Sequence, residues 1–519
     1  MKFHSIALAV LMLAGSQAAI AATAKPADKS VEKPAVHAED GIDWFKGDVD
    51  AAFTYAKKHN KPLFLYWGAV WCPPCNQVKA TVFNRQGFIE RSRFFVPVHI
   101  DGDSPSAQKL GARFKVRGYP TMILFQPDGS EITRLPGEVD SERYLQVLEL
   151  GMNAGHSVKD TLRVALADGS KLTADDWRLL AYYSWDTDEQ QMISAKELPA
   201  TLKKLASLCP PGDTAVHLGL SALVSAATAE PADAPPTDKA AANALLLRVL
   251  GDARLSRDNM DILTNYAGEV ASHVTAGGSP ERAKLITAFN AALEHLADDA
   301  TLSKADRLSA IDAKVALARL DTPQGPLAPA LLDEVKQRVA AADKATTDPY
   351  ERQSVINNAG HALSDAGLLA ESDTLLKAEL KRSHSPYYFM SSLASNAKKR
   401  GDNADALNWY EQAYGASKGP ATRLQWGANY LINLIDLAPA DDKRIEKTAD
   451  SIIGELAGTQ NAFYERNRTA LEKIGHKMTA WNSSGQHDAV FKHVHQEFHG
   501  VCEKLPANDP QKAACSAVM

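Results

Sequence analysis

Two cysteines separated by two residues, Cys72 and Cys75, carry the chemistry this sequence offers most plainly. They stand in WGAVWCPPCNQVK, residues 67–79, with Trp71 in front of them and Pro73-Pro74 between them. A dithiol at this spacing has three uses: it exchanges with other disulfides, it supplies half of a metal site, or it closes into a static crosslink. A structural zinc site takes four ligands, usually two such pairs, and no companion pair occurs among the five cysteines. A crosslink over so short a loop constrains the unfolded chain little. Exchange requires a thiolate, and therefore surroundings that favour one.

The flanking segments supply such surroundings. KPLFLYWGAVW, residues 61–71, is apolar and aromatic after its first two residues, the composition of a strand buried on both faces. PCNQVKATVF then shifts to helical spacing. The dithiol thus falls at a strand-to-helix junction, where unpaired N–H groups and the positive end of the peptide dipoles stabilise a thiolate on the first cysteine. Pro73 and Pro74 suit a helix start, where their missing N–H groups have no partner to lose. Attack by Cys72 on a disulfide forms a mixed disulfide, which Cys75 resolves.

The elements around the junction follow in order. DVDAAFTYAKKHN (48–60) predicts a helix capped by Asp48. RFFVPVHID (93–101) predicts a second strand and SAQKLGARFKV a helix. TMILFQPDGSEITRLPG predicts two strands joined at Pro127-Asp128-Gly129, and SERYLQVLELG (141–151) a closing helix.

Residues 42–152 resemble a thioredoxin-fold domain, through WCPPC and GYPT (118–121) at the right separation. KPLFLYWGAVWCPPCNQVKATVF and the Asp-Gly turn are most similar to the C-terminal thioredoxin-like domain of membrane thiol:disulfide interchange proteins. The resemblance implies a central mixed sheet flanked by helices. It implies an exposed nucleophile at Cys72, a buried resolving thiol at Cys75, and a cis peptide bond at Pro120 that holds Tyr119 beside the sulfurs for a substrate strand. Trp71 then covers the dithiol and shapes the docking surface. Protein thiols or disulfides are the implied substrates, in a reductase or isomerase direction, with a membrane electron donor and no cofactor or metal beyond the Cys72–Cys75 couple. The sequence also departs from the family. Tyr66 stands where a buried acid is usual, and Pro97 where a lysine often partners it; His99 lies nearby and is able to titrate.

Beyond residue 155 the pattern becomes helical, and 156–519 reads as a large all-α region with a break at EPADAPPTDK (230–239). Around 353–420 two segments align. Gly367 with Gly401, and Pro386 with Pro420, are each separated by the roughly 34 residues of a tetratricopeptide repeat. The second copy resembles that family through Leu393, Ala394, Gly401, Ala406, Tyr410 and Ala413; the first is looser. Two repeats are too few for a solenoid, so neighbouring helices must complete the stack. Such stacks bind peptides or partner proteins, which makes a non-enzymatic binding or assembly module the alternative reading.

The ends of the chain complete the expectation. Lys2, the apolar run SIALAVLMLAG and the small residues of SQAAIAATA predict a cleaved signal peptide over 1–24 and a periplasmic or secreted protein, with a flexible leader over 25–41. No later stretch reaches the ~20 apolar residues of a membrane helix. In an oxidising compartment, Cys502 and Cys515 are expected to pair and pin the tail, while Cys209 remains a buried free thiol. A net charge of −6 over 519 residues, without a basic run, excludes a nucleic-acid footprint.

Overall fold

The computed structural model describes residues 41–518 apart from 117, 138, 139, 189 and 190. The expected signal peptide and nearly all of the leader lie outside the described residues.

In the head, α1 (Val49–His59) opens on Asp48, whose carboxylate accepts from Ala51 N. Strand β1 (Leu63–Gly68) follows, then α2 (Pro73–Val78), which runs on as a π-helical turn over Lys79–Phe83. Next come α3 (Gln86–Ser92), β2 (Val96–Asp101), α4 (Ala107–Phe114), β3 (Thr121–Phe125), β4 (Glu131–Leu135) and α5 (Ser141–Met152). The sheet order is β2-β1-β3-β4, with β1 parallel to β2 and antiparallel to β3. β4 closes it antiparallel to β3. This is the mixed sheet of a thioredoxin fold.

Every residue of β1 is buried, because both faces of the sheet are covered. Leu63, Leu65 and Trp67 pack with α1 and α4 on one face, while Phe64 and Tyr66 meet Phe83, Phe88 and α5 on the other. The second core does not stop at the head. It continues into Leu162, Trp177, Leu180, Leu205 and Leu218 of the first body helices, and the free, buried Cys209 belongs to it. Arg134 of β4, fully buried, adds a polar tie: its guanidinium donates to the carbonyls of Phe114, Lys115 and Thr187 and pairs with Glu131.

From Val158 onward the described chain is a stack of helices. The aligned segments form two hairpins, Pro349–Asp365 with Leu369–Glu379 and Pro386–Lys399 with Asn403–Ala416. Gly367 and Gly401 turn the chain between the helices of each pair with positive φ, +83° and +78°, which L side chains rarely adopt. Pro386 and Pro420 each begin the next helix, where no N–H is needed. The equivalence read from sequence spacing is therefore one of backbone role. The helices of residues 158–345 and 420–516 extend the stack on both sides. At its end a Cys502–Cys515 disulfide joins Asp488–Glu503 to the short helix Gln511–Ser516. No helix among the described residues is long and apolar enough to cross a membrane.

Candidate active site

Cys72 is the N-cap of α2. Its Sγ accepts from Cys75 N at 3.1 Å, so the sulfur lies against the unpaired N–H groups that open the helix. Cys72 and Cys75 are joined as a disulfide. Asn76, buried, fixes the loop before them by donating to Val70 O and Cys72 O, each at 2.9 Å. The Tyr119–Pro120 peptide bond is cis. The Tyr119 hydroxyl is held by Gln108 Nε2 at 3.2 Å, and Gln108 also donates to Gly102 O.

Tyr66 is fully buried and packs on Phe83 and His99 at centroid distances of 4.9 Å. His99 stacks on it, and Trp44 shelters the same ring at 5.6 Å. This enclosure, with Lys79 adding a smaller push, lowers the His99 pKa to about 3, although part of the ring reaches solvent. A value that low favours the neutral ring at working pH. Pro97 sits within β2, opposite Phe64.

One expectation is corrected. Cys72 is not exposed: it retains 2% of its accessible surface, and Cys75 none. The cover comes from the helical body. Trp71 is stacked on Tyr388 at 6.0 Å and meets Trp426 edge-on at 4.9 Å, and its Nε1 donates to Thr422 Oγ1 at 2.9 Å. Gln353 Nε2 donates to Trp71 O, and His384 Nε2 to Val70 O. The guanidinium of Arg466 lies 4.9 Å from the Tyr119 ring and 5.6 Å from that of Trp71. Trp71 thus shapes a surface that the body already occupies.

Asp103 locks the two parts together. The helix Pro420–Leu437 begins at Gly419, which has no side chain to cap it. Asp103, from the loop after β2, takes that role across the interface: it accepts from Thr422 N at 2.7 Å and from Thr422 Oγ1. A Cβ on Gly419 would stand 2.5 Å from the Asp103 carboxyl carbon, and its φ is +87°. Burial pushes Asp103 up to about 6, with the Asp101 charge adding to it and the Thr422 hydrogen bonds opposing it. These covering residues were not legible as site residues, since they lie hundreds of positions from the dithiol and follow no local motif.

Two cavities flank the dithiol between head and body. One, of about 260 Å³, has Pro73 and Pro74 in its wall. The other, of about 390 Å³, has Trp71, Tyr388 and Trp426. His361 borders both. Among the described residues no three His, Cys, Asp or Glu side chains converge to hold a metal ion.

Comparison with known proteins matches part of the chain. The family described as "Thioredoxin-like domain" matches residues 49–151. The "Thiol:disulfide interchange protein DsbD" of Pseudomonas fluorescens is 29% identical over 136 residues, covering 25% of this chain and 21% of that protein. "Thiol:disulfide interchange protein DsbD 1" of Pseudomonas aeruginosa is 29% identical over 97 residues, 18% of this chain and 16% of that protein. The match therefore spans about a fifth or less of the length of these relatives. Among solved structures, "DsbH Oxidoreductase" is 17% identical with a TM-score of 0.20, over 24% of this chain and 94% of that one. A thioredoxin from Thermus thermophilus is 23% identical with a TM-score of 0.22, over 26% and 98%. The sheet order, the helix-capping Cys72 and the family match lead to one conclusion: residues 49–151 form a thioredoxin-like domain.

Proposed function

We propose that this protein is an exported thiol-disulfide oxidoreductase that acts on protein disulfides through Cys72 and Cys75, in the reductase or isomerase direction, with the helical body engaging the partner. The observation that carries the reading is the placement of the Cys72 sulfur at the start of α2, bonded to Cys75 and within the apolar cluster that includes Tyr119. Relatives named for thiol:disulfide interchange support it.

The reduced dithiol works as follows. The Cys72 thiolate attacks one sulfur of a substrate disulfide; that bond breaks, and the departing substrate sulfur takes up a proton. Cys75 loses its proton and attacks the Cys72 sulfur, which closes the Cys72–Cys75 disulfide and frees the second substrate thiol. Two electrons have passed to the substrate, and a reduced membrane donor returns them. The body must yield during this cycle, because the sulfurs are covered.

That cover favours a second reading, in which the head is a docking platform and the body a binding or assembly module. Insulin reduction by the full chain, with dithiothreitol as the electron source, separates the two. The oxidoreductase reading expects turnover above the dithiothreitol background that Cys72→Ala abolishes. Equal rates for wild type and Cys72→Ala favour the binding module.

A further inference from the structure

The cavity beside Pro73 and Pro74 is lined by groups that accept hydrogen bonds. Asp306 and Asp312 face it from the helix Lys304–Arg319, and Asn357 and His361 from Pro349–Asp365. Among the described residues no lysine or arginine lines it. Asp306 is held by Gln77 Nε2 at 2.5 Å, an uncharged donor. Asp312 has no hydrogen bond or ion pair among the described residues. The nearby Lys399 is engaged by Asp365 at 2.7 Å and Ser364 at 2.8 Å, and is not part of the wall. Asn357 is an independent sign of a missing partner: it is 9% exposed, and its Oδ1 accepts no hydrogen bond.

The electrostatics agree with the geometry. Burial pushes Asp306 up to about 6 and, with the Asp365 charge adding to it, Asp312 up to about 7. Burial also lowers His361 below its ordinary range, with the Asp365 charge opposing the shift and Lys399 adding to it. Buried carboxylates are raised in this way, Lys399 only partly offsetting the rise at Asp312, and a bound cation holds them ionised. At about 260 Å³ the cavity is smaller than the roughly 300–1,000 Å³ of small-molecule sites, which suits one long side chain.

We infer that this cavity binds the basic side chain, arginine or lysine, of a polypeptide whose cysteine exchanges with Cys72, so that the helical body selects substrates carrying a cation beside the reacting sulfur. The inference rests on the oxidoreductase reading for its substrate, but the cavity is testable apart from it. Pro73 and Pro74 place the pocket next to the sulfurs, and Gly137, also in its wall, would bring a Cβ within 3.4 Å of Pro120. The second cavity, met at His361, gives the rest of the segment room past Trp71.

The test uses the full chain and short peptides that differ only in arginine or its uncharged isostere citrulline beside one cysteine. In the binding arm serine replaces that cysteine. In the exchange arm the cysteine carries thionitrobenzoate as a mixed disulfide; attack by reduced Cys72 on the peptide sulfur releases coloured thionitrobenzoate. The expected result is about tenfold tighter binding and about tenfold faster release for the arginine peptide. Asp312→Asn brings both ratios to about one, and Asp312→Glu keeps them. Equal binding of the two peptides to wild type, or a preference that survives Asp312→Asn, overturns the inference. Arginine-selective binding without any release sustains the pocket and overturns the exchange chemistry instead.

Discussion

Asp103 lends its carboxylate to a helix whose first turn lies 319 residues further along the chain. The arrangement has an electrostatic cost that pH reveals. The group's ordinary pKa of 3.8 rises to about 6 in the folded protein, so the protonated form is the one that folding favours. The sign follows from linkage: stability from this group is fully present below about pH 4, falls as pH rises towards 6, and is flat above that. Asp103→Asn keeps an acceptor for Thr422 N but cannot ionise. Its urea-unfolding stability is expected to gain on wild type by about 2 kcal/mol between pH 4 and pH 7. A difference between the two proteins that does not change with pH contradicts this assignment.

At the scale of elements, the tail shows what a local crosslink contributes. Cys502 and Cys515 are buried and lie 13 residues apart, and their bond fastens the last short helix to Asp488–Glu503. Closing a loop of that size removes unfolded-state freedom worth about 3 kcal/mol. The double replacement Cys502→Ser and Cys515→Ser is expected to lower stability by that amount, with hydrogen exchange rising in residues 488–516 before it rises elsewhere. Uniform exchange across the chain would show that the tail is not a separate unit.

The same scale explains what the sequence made legible. Strands β1 to β4 announce themselves because β1 is apolar throughout and a Pro-Asp-Gly turn separates β3 from β4. The helix hairpins are legible because Gly367 and Gly401 meet a backbone requirement that few residues satisfy. The cover over Cys72 was not legible. Tyr388, Thr422 and Trp426 sit in helices whose periodicity announces burial but not against what, and only the fold brings them to Trp71.

For the whole molecule, head and body behave as one compact unit from Gly41 onward, with a core that passes between them and a dithiol enclosed at their junction. Access to the sulfurs is therefore a property of the assembled chain. Weakening the cover by Trp426→Ala removes the aromatic edge against Trp71; a loss of about 2 kcal/mol corresponds to roughly a thirtyfold change in the open fraction. The most direct measurement follows the reaction of the full chain with an aromatic disulfide, dithiobis(nitrobenzoate), reading thionitrobenzoate release and the adduct site by mass spectrometry. Cys75→Ala is expected to hold one stable adduct on Cys72, formed at least tenfold faster when Trp426→Ala is added, while Cys72→Ala forms none at Cys75. Equal adducts at either cysteine, or none at Cys72 even with Trp426→Ala, would contradict an exchange site governed by the helical body.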